Sequence, residues 1–232
     1  MVTKKGKYGE IKEILYFNKP DRLNTDDMLE FITGRIETMG LKHVMIAWSS
    51  GYTLYKFLKA TKDIKLKLDI TTVTNPKGGT MGGRSVSIDD KTRKELEGKG
   101  IKVCYLNDDL RLGEPMAPTP EQKYMREQLL PWMPFHIDPL SLDVGMDLSL
   151  FFTISQGYRV CVGCLALAVK HGLIPEGERV LCLAGTATAC ILQASASPRK
   201  CYAKEILSYE LNSDWSQQDP EALKKMVAIT KI

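Results

Sequence analysis

The chain has 232 residues, and its 32 Lys and Arg face 28 Asp and Glu, a formal net charge of +4. Charges this balanced argue against a nucleic-acid backbone as the main partner, because such binding rests on clustered, unopposed cations. With 44% hydrophobic and 26% charged residues, disorder and coiled coil are excluded for most of the chain.

Residues 1–13 are polar and predict a loosely ordered N-terminus, followed by a single α/β domain over 14–232. Residues 14–18, ILYFN, are β-formers and predict a short strand. A turn rich in Pro, Asn and Asp follows. Asn24 or Thr25 is then a natural cap for a helix over 26–39, with Asp26, Asp27 and Glu30 at its positive end. Met28, Leu29, Ile32, Ile36 and Met39 form its apolar face, and Gly40 stops it. The nearly continuous apolar run 43–48 reads as a strand buried on both faces of a parallel sheet. A short helix follows over 52–60, then a strand over 65–74 ended by Asn75 and Pro76. Four glycines in 77–85 predict a flexible loop. A polar helix over 89–100 and a strand over 101–106 come next.

The stretch 107–145 holds six of the 11 prolines, with Trp132, Phe135 and His136. It reads as an insertion at about 107–146, with one helix near 121–130. Loops this long inside a domain usually carry function or an interaction surface. Beyond it lie a long apolar helical segment, 147–171, with Gly157 as a point where it can break, and strands over 179–187 and 188–195. The connection between those strands is too short for a parallel crossover, so they should run antiparallel. A strand over 202–211 and a helix over 214–232 close the chain. The order predicts a three-layer α/β/α sandwich whose mostly parallel, mixed sheet has an antiparallel edge.

No apolar run reaches the roughly 18 residues that span a bilayer. The charged N-terminus has no apolar stretch behind it. A cytoplasmic protein with no membrane partner is expected. The six cysteines include one C-x-x-C, Cys161 and Cys164, and no second close pair. They read as small buried hydrophobes rather than as a metal or redox centre.

In open α/β sheets ligands lie beyond the carboxyl ends of the strands. Two strand ends stand out. One is Trp48–Thr53, where Ser49, Ser50, Gly51 and Thr53 lead into a helix whose bare amides attract an anion. The other is Ala184–Thr188, with Gly185 and Thr186. Both open on one rim if their strands are parallel neighbours. An ordinary helix start is the alternative for the first. Asn18, Lys19, Thr74 and Asn75 end other strands toward the same rim, and Arg84 in the glycine-rich loop can clamp a phosphate. The chain contains neither G-x-x-x-x-G-K-[ST] nor G-x-G-x-x-G nor G-x-S-x-G. Neither His43 nor His171 is assigned to catalysis.

Segments 14–29, 43–53, 172–189 and 204–206 resemble a group of stand-alone archaeal and bacterial proteins similar to the C-terminal α/β domain of pyruvate kinase. The most specific piece is F-N-K-P-x-x-x-N-T, beginning at Phe17. The S-S-G-x-T loop resembles the phosphate loop with which that domain holds a sugar-bisphosphate effector. The resemblance implies a pocket beyond the strand ends, flavin mononucleotide (FMN) as candidate cofactor, and Asn18, Lys19, Ser49, Ser50, Gly51, Thr53, Thr74, Gly185 and Thr186 as its lining. It does not extend to pyruvate kinase activity, since the catalytic β/α barrel has no counterpart here. A homo-oligomer that binds a phosphorylated small molecule is the leading expectation. The alternatives are a regulatory or assembly module acting through 107–150, or an enzyme acting on a phosphorylated substrate.

Overall fold

His43–Trp48 (β2) carries apolar side chains on both faces of a strand, and both faces are buried. Val44 and Ile46 face one apolar layer, while Met45 faces the other. That pattern places β2 at the middle of a sheet covered on two sides. The computed structural model describes residues 12–17, 23–81, 84–106 and 155–210. Asn18, Lys19, the 107–146 insertion with its helix, and the 214–232 helix lie outside the described residues.

Leu15–Phe17 is β1, Asn24–Met39 is α1, Tyr52–Ala60 is α2 and Asp69–Thr74 is β3. Thr80–Met81 (β4) and Arg84–Ser85 (β5) form a small antiparallel hairpin within the glycine-rich segment. Asp90–Gly98 is α3, Lys102–Tyr105 is β6 and Gln156–Lys170 is α4. Arg179–Ala184 (β7), Thr188–Gln193 (β8) and Ala203–Glu210 (β9) complete the order.

Among the described residues, the main sheet has seven strands in the order β1-β9-β8-β7-β2-β3-β6. The pairs β1/β9, β7/β2, β2/β3 and β3/β6 are parallel, and β8 is antiparallel to β7 and β9. The antiparallel strand therefore lies in the β1 half of the sheet. It is third from that edge because β9 and β1 add two strands beyond it.

Helices α1, α2 and α3 cover one face through Met28, Ile32, Ile36, Leu54, Phe57 and Leu96. Helix α4 covers the other through Cys161, Val162, Leu165 and Val169 against Met45, Cys182, Cys190 and Leu192. Burying Val162 and Leu165 completely stabilises the packing by about 1.5–3 kcal/mol each. This is a three-layer α/β/α arrangement.

Several boundaries differ from the sequence pattern; β7, for example, ends at Ala184 rather than 187. Strand β3 starts at Asp69 rather than 65, because its partner β2 starts at His43, opposite Asp69. Among the described residues, segment 65–68 has no strand beside it. Leu66 and Leu68 still pack on the core, and Glu37 Oε1 accepts the Lys65 N–H at 2.9 Å. Helix α1 starts at Asn24 with Leu23 in the cap position and no side-chain cap. Of the helical segment expected over 147–171, residues 147–154 lie outside the described residues, and α4 starts at Gln156, after an extended Ser155 and beside Gly157. Gly157 lies in the first turn behind the cap Ser155, whose Oγ accepts the Tyr158 N–H at 3.0 Å. A Cβ at Gly157 would collide with Thr188, so this glycine lets α4 approach the start of β8.

Candidate functional site at the carboxyl ends of β2 and β7

The chain leaves β2 toward β3 on one side, and reaches β7, on the other side of β2, only after α4 has crossed the opposite face. A sheet wound in two directions in this way leaves a crevice beyond the carboxyl ends of the two strands where winding reverses. Here those strands are β2 and β7, parallel neighbours through His43–Ile46 and Val180–Leu183. The two hydroxyl- and glycine-bearing loops expected from the sequence therefore do share one rim.

The first loop is Ser49–Gly51. Gly51 takes φ 79°, a left-handed conformation that costs a side-chain-bearing residue about 1–2 kcal/mol. A Cβ built there would sit 2.5 Å from Trp48 Cη2. The indole thus lies directly against Gly51, and its ring meets Tyr55 edge-on with centroids 5.8 Å apart. Within α2, Tyr55 N–H donates to Gly51 O at 3.0 Å. Tyr52 N–H reaches Ser50 Oγ at 3.4 Å, a long bond. Among the described residues, no acceptor is bonded to the N–H groups of Thr53 and Leu54. They are two of the four orphan donors that open any helix.

The second loop is Gly185–Ala187. Each of its three carbonyls accepts a hydroxyl proton from a different element: Gly185 O from Thr53 Oγ1 at 2.8 Å, Thr186 O from Thr25 Oγ1 at 2.9 Å, and Ala187 O from Ser208 Oγ at 2.8 Å. The turn is thereby clamped to α2, α1 and β9. The sequence offers Asn24 or Thr25 as the helix cap. The Thr25 hydroxyl crosses to the turn instead, a role that no local pattern signals because the two residues lie far apart in the chain.

The remaining expected residues divide. Thr74 is buried; its Oγ1 accepts from Ile88 N at 3.2 Å and donates to Val86 O at 3.5 Å. Asn75 Nδ2 donates to the same Val86 carbonyl at 3.3 Å. Both hold the segment just after β5, at Val86 and Ile88, to the end of β3. Arg84 lies in β5, its backbone paired with Met81. Ser49 is exposed just beyond the carboxyl end of β2.

Lys56 on α2 and Asp26 on α1 meet at 2.7 Å near the two helix starts, and the hydrogen bond to Asp26 raises the lysine pKa. The histidine of β2 is at the other end of the sheet. His43 Nδ1 lies 3.2 Å from Asp69 Oδ2 without hydrogen-bond alignment.

All six cysteines are buried. Burial pushes the Cys161 and Cys182 thiols well up, and Cys164 to about 12. Among the described residues, no group of His, Cys, Asp and Glu is arranged to hold a metal ion, and no helix is long and apolar enough to cross a membrane. No protein-family model matches the chain.

Proposed function

We propose that the chain binds a phosphate-bearing small molecule, flavin mononucleotide foremost, in the crevice beyond β2 and β7, with Ser49 and the Thr53 and Leu54 amides as donors to the phosphate. The observation that carries this reading is the pair of α2 N–H groups without an acceptor at the reversal point of the sheet. A helix start supplies about half a positive charge there, and its amides need an acceptor from water or a ligand. The clamped 185–187 turn supports the reading by holding the opposite lip rigid. The S-S-G-x-T loop resembles a phosphate loop for a sugar bisphosphate, and FMN rather than a plain phosphate ester comes from the resemblance of the chain to the stand-alone group.

The test is titration of the purified protein with FMN, followed by quenching of flavin fluorescence, with inorganic phosphate as competitor. Quenching with a midpoint below about 100 μM, a binding free energy of about 5 kcal/mol or more, is expected, and phosphate should reverse it. No quenching at that concentration excludes FMN. If phosphate and sugar phosphates also fail to protect the fold against heat, the anion site itself is excluded, since a ligand of the native state must stabilise it.

A further inference from the structure

We draw no further inference here: the strongest candidate, the layer of buried thiols between α4 and the sheet in which Cys182 and Cys190 pair across β7 and β8 beside Cys161, carries nothing because burial holds the Cys161 and Cys182 thiols in their unreactive protonated form, and no group of metal-ligating side chains among the described residues is arranged to hold an ion.

Discussion

Replacing Gly51 by Ala measures how tightly the start of α2 is built. Two costs add. At φ 79° an alanine gives up about 1–2 kcal/mol of backbone energy. Its Cβ would also lie 2.5 Å from Trp48 Cη2 and 2.9 Å from Cζ2 and Cζ3, so a ring held by Tyr55 must shift, at about 1–3 kcal/mol of overpacking. The total is about 2–5 kcal/mol, and each kcal/mol lowers Tm by about 2–4 °C in a chain of this size. Gly185 is the control, because it takes φ 62° but, among the described residues, nothing lies within 4 Å of a Cβ there. Gly185→Ala should therefore carry the backbone cost of about 1–2 kcal/mol alone. Urea unfolding of both variants, and of Gly51→Ala in a Trp48→Leu background, separates the two costs. Gly51→Ala should exceed Gly185→Ala by about 1–3 kcal/mol, and the excess should vanish without the indole. Equal losses in the two single variants, or an excess that survives Trp48→Leu, would show that Trp48 does not pack on Gly51.

Thr71 and Thr72 are both fully buried; the Thr72 hydroxyl donates to Ile46 O at 2.9 Å, while Thr71 Oγ1 has no partner among the described residues. Thr71→Val should leave stability unchanged or raise it by about 1 kcal/mol, and Thr72→Val should lower it by about 1 kcal/mol; the reverse order in urea unfolding would contradict the assignment. Burial raises the thiols of Cys161, Cys164 and Cys182, and that of Cys201 to about 11, whereas unfolded thiols titrate near about 8.5. Above that pH the unfolded chain releases protons that the folded chain keeps, so stability is complete below about pH 8.5 and falls as pH rises, by up to about 1.4 kcal/mol per unit for each thiol. The urea midpoint should drop between pH 8 and pH 10, and less so in Cys164→Ala; a flat profile would refute the burial argument. In the native state none of the six buried thiols should react rapidly with Ellman's reagent, and all should react in denaturant.

The buried parallel strands were the most legible part of the chain. The apolar runs of β2 and β7 read as interior strands, and the short connection after Ala184 forced β8 to turn back. That the two hydroxyl- and glycine-bearing loops share one rim followed from the same runs, since β2 and β7 are parallel neighbours. What the sequence concealed depends on partners distant along the chain. Nothing within 65–74 says that β2 offers no ladder to residues 65–68, so alternation was read as strand. Nothing near Thr25 announces a carbonyl at Thr186. The glycine-rich segment read as a loop because β4 and β5 contribute only two residues each to their hairpin. Thr74 and Asn75 are at the expected rim, but their bonds to Val86 and Ile88 follow from how the chain folds back over the end of β3.

The pairing of β1 with β9, Leu15 opposite Ser208 and Phe17 opposite Glu210, has a kinetic consequence. On a ribosome β1 emerges before every other described strand, and its one neighbour among them, β9, is the last of them to emerge. Strand β1 must wait, solvated or transiently protected, while the intervening chain is made. Closing so large a loop is slow compared with local hairpin formation. The β2, β3 and β6 nucleus with its helices can condense during that wait, leaving the β1 edge as the final seam. Deleting residues 1–17 should thus spare early collapse and act mainly by unmasking β9 as an open border, where intermolecular strand addition would begin.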